Sequence, residues 1–231
     1  MSLAGLVLVL AVILGLVLLL ESTAGGARPK ESKVQVLARG VMATHGQHRW
    51  VTWARAERWA AEAIEITQLP QHSWMQPVDL LAVAAHESDF RTYRIAEGGK
   101  SDPLGWDCGI TQVRTTVFEG GKTRRARKLC TRLARSSFLG FKYAARELSG
   151  YRQRYCKKWL HKGKPWKLKR CTLNVYNQGP RYCRAGHCGR YWLRVHCFRL
   201  GILLARKPRL RGKRVSCRRA QSLRWIWKVY R

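Results

Sequence analysis

Pro77-Val78-Asp79-Leu80-Leu81-Ala82-Val83-Ala84-Ala85-His86-Glu87-Ser88-Asp89-Phe90 is the stretch on which the fold reading turns. It is almost wholly apolar until a single carboxylate, Glu87, arrives near its end. Pro77 suits the first turn of a helix, where its missing N–H costs nothing. Asp79 falls in that same turn, where the helix dipole favours a negative charge. Leu80, Val83, Ala84 and Glu87 then share one face by the three-and-four spacing of a helix. A glutamate on a core-facing stripe, at the negative end of the dipole, is disfavoured as an anion. A carboxyl in that position becomes a proton donor near neutral pH. The alternative is a helix that simply stops here, with Glu87 turned to solvent.

The surrounding helices are read from the same periodicity. Trp53 to Ile66 offers Trp59, Ala60, Ile64 and Ile66 to a core, and Leu69-Pro70 ends it. Arg124 to Leu133 is a basic segment that could be helical. Ser136 or Ser137 caps a further helix carrying Phe138, Phe141, Tyr143, Ala144 and Leu148, with Gly150 suited to its end. Arg154 to Arg170 reads as a basic, Trp-containing loop. Cys171 to Tyr176 begins a short helix stopped by Gly179-Pro180, and Tyr191 to Leu204 is apolar enough for another. Between Ala96 and Val113, glycines and Pro103 punctuate short polar and aromatic pieces, which reads as loops or a small hairpin beside the end of the Glu87 helix.

The chain of 231 residues suits one domain with appendages. Residues 1–24 form a signal peptide or membrane anchor. The run Leu3 to Leu20 is unbroken and apolar, and it is just long enough to span a bilayer. Ser22-Thr23-Ala24 offers a cleavage site of small residues. No Lys or Arg precedes the run, whereas Arg28, Lys30, Lys33 and Arg39 follow it, which by the positive-inside rule places the body in the cytoplasm. The eight cysteines, all from Cys108 to Cys217, argue instead for disulfides and an oxidising compartment. Residues 25–50 read as a linker, 51–200 as the main domain and 201–231 as a basic tail.

Lys and Arg number 45 against 13 Asp and Glu, a formal net charge of +32. Such a charge draws anionic partners without choosing among nucleic acid, acidic lipid and cell wall. The tail segment Arg224-Trp225-Ile226-Trp227-Lys228 suits an anionic membrane surface, or is a solvated basic end. Cys183, His187, Cys188, His196 and Cys197 crowd one region in which zinc ligation is conceivable, but their spacing fits no zinc pattern; disulfides are favoured.

Three stretches, in order, resemble the catalytic domain of soluble lytic transglycosylases and goose-type lysozymes. Glu87-Ser88-Asp89-Phe90 is similar to the Glu-Ser-x-Phe helix end of that family. Gly109-Ile110-Thr111-Gln112 is similar to its Gly-Leu-Met-Gln strand, with Thr111 in place of a bulky apolar residue. Val175-Tyr176-Asn177-Gln178-Gly179-Pro180 is similar to its Ala-Tyr-Asn-Ala-Gly-Pro segment, with Gln178 where a small residue is usual. Phe138 to Leu148 resembles the helix that carries its Gly-x-x-Tyr-Leu pattern. The resemblance covers roughly Trp53 to Pro180, and the basic insert around Lys157 to Lys169 departs from it.

The resemblance implies a mainly α (α+β) lysozyme-like fold with a small hairpin beside a cleft. It also implies cleavage of the β-1,4 bond between N-acetylmuramic acid and N-acetylglucosamine in peptidoglycan. Glu87 is then the acid and base, and closure of a 1,6-anhydro ring needs neither a second carboxylate nor water. Ser88, Gln112, Tyr176 and Asn177 become substrate-binding or positioning residues. A hydrolytic alternative would use Asp102 or Asp107 across the cleft, with carboxyls about 6.5–9.5 Å apart; turn chemistry is the plainer account of both. A non-catalytic cationic protein that binds wall or membrane is the remaining alternative. No cofactor, metal or specific nucleic acid is expected, and the cell envelope is the expected location.

Overall fold

The computed structural model describes residues 31–97, 105–179, 190–204 and 217. The chain divides into two units, 1–32 and 33–231; only Glu31 and Ser32 of the first are described. The apolar run Leu3 to Leu20, Asp102 and the tail segment 224–228 lie outside the described residues. Among those described, no helix is long and apolar enough to cross a membrane.

The larger unit is mainly helical. Its elements in chain order are α1 (Lys33–His45), α2 (Trp53–Gln68), a 3-10 turn (Pro70–His72), α3 (Pro77–Ser88), β1 (Ile95–Glu97), β2 (Trp106–Cys108), β3 (Val113–Arg114), α4 (Thr116–Glu119), α5 (Arg124–Arg135), α6 (Ser137–Arg154), α7 (Lys157–His161), α8 (Pro165–Gln178) and α9 (Tyr191–Leu204). The strands form one antiparallel sheet in the order β1-β2-β3, with Ile95 opposite Cys108 and Asp107 opposite Arg114.

Helix α3 is the buried axis. Every residue from Pro77 to Ala85 is buried, and the helix packs against α2, α6 and α9. A helix apolar on all sides is stable only when surrounded. Small side chains at Ala82, Ala84 and Ala85, all inaccessible to solvent, let its neighbours approach closely. Pro77 occupies its first turn. The Gln76 N–H donates to Asp79 Oδ2 at 2.9 Å, which closes the start of the helix. Thr52, Thr123 and Ser136 cap α2, α5 and α6 by accepting from Arg55, Ala126 and Leu139 N–H groups.

Three readings from the sequence change. Residues 33–45, placed within the linker, are helical, and Leu37, Ala38 and Val41 are buried in the core against α2 and α9. Their apolar period is short, so composition alone masks it. Helix α6 runs through Gly150 to Arg154, because the buried Tyr151 side chain beyond the glycine keeps it packed. The basic loop from Arg154 to Arg170 is largely helical, as α7 and the first turns of α8. Pro165 stands in the first turn of α8, so here it opens a helix rather than a loop.

Disulfides join Cys108 of β2 to Cys130 of α5, Cys156 to Cys171 of α8, and Cys197 of α9 to Cys217. Cys197 is therefore no thiolate ligand for a metal; Cys183, His187 and Cys188 lie outside the described residues.

Candidate active site

Helix α3 ends in an unusual way. Asp89 and Phe90 both take left-handed backbone conformations, with φ of 51° and 63°, a strained state for residues other than glycine. Three contacts hold the turn. The Phe90 ring, 1% exposed, stacks on Trp59. Trp50 Nε1 donates to the Asp89 carbonyl at 2.7 Å, and Arg94 donates to the Glu87 carbonyl at 2.7 Å. This over-determined stop leaves the Glu87 side chain in a small recess of about 50 Å³. Its lining is Glu87, Asp107, Gln112, Arg114, Glu147, Tyr176 and Asn177.

The Glu87 carboxyl accepts a short hydrogen bond, 2.5 Å, from the Tyr191 hydroxyl of α9. Burial pushes its pKa up to about 7; the Tyr191 bond and the Arg94 and Arg114 charges pull it down, and Asp107 pushes it up. A carboxyl raised that far is accessible in its protonated form near neutral pH, the form a general acid needs.

The segment Gly109 to Gln112 forms the wall beside Glu87. Gly109 has φ of +78°, and a Cβ there would meet the Leu133 carbonyl oxygen at 2.6 Å, so only glycine fits. Gln112 also takes a left-handed conformation, with φ of 52°. Its amide Nε2 donates to the carbonyls of Arg94 and Gly109, at 3.0 and 2.9 Å, and thereby ties the wall to the end of α3. The Thr111 hydroxyl donates to the Gly140 carbonyl at 2.9 Å. That bond accounts for a polar residue in a fully buried position.

The sequence-predicted residues divide into two groups. Gln112, Tyr176 and Asn177 line the recess with Glu87. Asn177 is exposed at its rim. Tyr176 is buried, and its hydroxyl donates to the Thr111 carbonyl at 2.7 Å. Burial and the charges of Glu147 and Glu87 hold that hydroxyl well above the ordinary tyrosine pKa, so it stays neutral. Ser88 does not reach the recess. It is wholly buried and donates to the Ile110 carbonyl at 2.6 Å. It therefore fastens the wall to α3 and is a positioning residue rather than a substrate-binding one. Asp107 lines the recess from β2, where Arg114 Nε meets its Oδ1 at 3.1 Å. It is a paired strand residue rather than a turn residue.

Two participants were not singled out from the sequence. Glu147, on α6, is 4% exposed and accepts from the Tyr151 hydroxyl at 2.6 Å. Its Oε2 has no hydrogen-bond partner among the described residues. Burial pushes its pKa up to about 8, against the pull of the Tyr151 bond and Arg114. A signal for it existed: Glu147 lies on the stripe of Phe141, Ala144, Leu148 and Tyr151, the same kind of clue that marks Glu87. Tyr191 had no such signal, since its partner is 104 residues away. Among the described residues no cluster of three or more His, Cys, Asp or Glu could hold a metal ion.

No protein-family model, curated protein or solved structure matches the chain.

Proposed function

We propose that the protein is a peptidoglycan lytic transglycosylase acting through Glu87. The observation that carries the reading is convergence. Three motifs far apart in sequence meet around one carboxyl whose pKa is raised to about 7. A mainly helical unit with a small antiparallel sheet at the recess suits a lysozyme-like architecture.

The chemistry follows from the groups present. Protonated Glu87 gives its proton to the glycosidic oxygen as the C1–O4 bond breaks. The Tyr191 hydroxyl stabilises the carboxylate that forms. That carboxylate then takes the proton of the muramic 6-hydroxyl while its oxygen bonds to C1. The products are a 1,6-anhydro end and a free 4-hydroxyl, and Glu87 is protonated again. Buried Glu147, with a pKa raised to about 8, is mostly neutral at pH 7 and adds little repulsion to the developing charge. The recess is too small for a sugar ring, so the substrate lies across its mouth, where Asn177 is exposed.

Asp107 favours one second reading. It shares the recess with Glu87, and a water held between them would give hydrolysis. Its pairing with Arg114 weighs against a free base. The disulfides support an oxidising compartment, hence the cell envelope, and the charge of +32 supports adhesion to acidic wall polymers.

Digestion of purified peptidoglycan followed by mass spectrometry tests the proposal. Anhydro-muropeptides are expected from the wild type and none from Glu87→Gln. Reducing ends in place of anhydro ends would favour hydrolysis. Products from the variant equal to those of the wild type would remove Glu87 from the mechanism.

A further inference from the structure

A second and larger cavity, about 390 Å³, opens at the other end of α3 and shares no lining residue with the recess of Glu87. Its walls include three indoles, Trp74, Trp166 and Trp192. Trp166 is 55% exposed, an unusual state for the largest apolar side chain unless it serves a contact. Four cations line the same space, Arg152, Lys169, Arg170 and Arg199, against the single carboxylate of Asp79.

The cations fall into two pairs. Lys169 and Arg199 both bind Asp79 Oδ1, at 2.6 and 2.9 Å, and Arg199 also donates to the Gln76 side-chain oxygen. Arg152 and Arg170 have no carboxylate partner among the described residues. Their guanidinium carbons stand over the rings of Trp74 and Trp192, at 5.2 and 5.4 Å. The Nε of each is buried without a hydrogen-bond partner among the described residues. Those Nε atoms are closed to solvent, but a guanidinium as a whole suits a phosphate or carboxylate that takes two bonds at once. The field is positive at His196 too: burial first, then Arg199 and Lys169, push its pKa down.

We propose that this cavity binds a sugar unit bearing an acidic substituent, its ring against the indoles and its phosphate or carboxylate on Arg152 and Arg170. The volume suits one such unit. The Asp79 and Gln76 oxygens on the walls are already engaged, which leaves few side-chain acceptors for the edge of a nucleobase that needs both donors and acceptors. Sugar hydroxyls accept as readily as they donate. Choosing a sugar also rests on the peptidoglycan reading above, whereas the anion preference stands without it.

The test is calorimetric titration of the full chain at low ionic strength. The probes are N-acetylglucosamine 6-phosphate, N-acetylmuramic acid, neutral N-acetylglucosamine, inorganic phosphate and adenosine monophosphate. At least one acid sugar is expected to bind about tenfold or more tightly than the neutral sugar, and the better of the two identifies phosphate or carboxylate as the source. Arg152→Gln with Arg170→Gln should weaken that binding about tenfold. Arg125→Gln with Lys128→Gln, an exposed pair on α5, should leave it nearly unchanged. Trp166→Ala, at an exposed site, should weaken the acid sugar and spare inorganic phosphate. Equal binding of the neutral sugar, equal loss in the α5 control, or tighter binding of the nucleotide would each overturn the proposal. Lytic activity measured on the same preparation separates a failure of this site from a failure of the Glu87 mechanism.

Discussion

Helix α3 carries Asp79 in its first turn and Glu87 in its last, roughly 12 Å apart along the axis. Asp79 lies at the positive end of the dipole. It takes a backbone N–H, an ammonium and a guanidinium, and every one of these favours its charge. Glu87 lies at the negative end. Its direct partner is the neutral hydroxyl of Tyr191; the nearby Arg94 bonds its backbone carbonyl, and Arg114 bonds Asp107. Burial raises the Glu87 pKa to about 7, and the Tyr191 bond and the charges of Arg94 and Arg114 offset it only in part. The two carboxyls of this helix differ in what they bond: Asp79 holds two cations, Glu87 a neutral hydroxyl.

Removing each carboxyl should therefore break different properties. Glu87→Gln keeps the shape and the Tyr191 contact but has no proton to exchange. The rate should fall about 10²–10⁴-fold in a turbidity assay on cell walls, with the denaturation midpoint near that of the wild type. Asp79→Ala should do the reverse. It strands Lys169 and Arg199 beside a buried site, with a loss of about 3 kcal/mol, at the low end because both cations are part-exposed. Urea unfolding followed by tryptophan fluorescence reads it. A stable Asp79→Ala variant would mean that the two cations relax to solvent and that the N-terminal end is no anchor.

Glu147 sharpens the contrast, since it is a further buried carboxyl and, among the described residues, its bonded partner is the Tyr151 hydroxyl. Its folded pKa, raised to about 8 from 4.5, means that the folded state holds more protons than the unfolded state between those values. Stability must then fall as pH rises through that window, and be level with respect to this group below and above it. Glu87, raised to about 7, adds the same sign over a narrower range. Glu147→Gln should flatten the profile and leave the variant more stable than the wild type at pH 9, by on the order of 2 kcal/mol. Unfolding free energies measured from pH 5 to 9 test this. A wild-type profile that rises with pH would place Glu147 among ionised, not neutral, groups.

What the sequence disclosed has a pattern. Helices α2 and α3 were legible from apolar residues at helical spacing, with Leu69-Pro70 ending the first and Pro77 opening the second, and α9 from its apolar content. Helix α1 was not, since its few apolar residues sit among glycine, threonine and charged residues, and part of their burial comes from α9, far along the chain. At the site, Glu87, Gln112 and Tyr176 stand in recognisable local patterns. Ser88 was legible as part of the motif but not in its direction, because that depends on where Ile110 packs. Glu147 was discoverable from its stripe. Tyr191 is a matter of tertiary approach alone: nothing near it in the chain marks it, and only the packing of α9 on α3 brings its hydroxyl to the acid.

That approach yields the smallest and most specific effect. The Tyr191 hydroxyl bonds the ionised form of Glu87 and so lowers its pKa against the upward push of burial. Tyr191→Phe removes the bond and keeps the ring that packs beside His86. The Glu87 pKa must rise. On the proposed mechanism activity needs the protonated acid and declines as pH climbs through its pKa, so the alkaline limb of kcat/KM should move to higher pH by about one unit or less, with kcat reduced less than about tenfold. An ordinary packing role for Tyr191 would lower activity without moving the limb. The direction of the shift is the test: a move to lower pH would mean that the hydroxyl serves the neutral acid, and the account of how α9 tunes the end of α3 would be inverted.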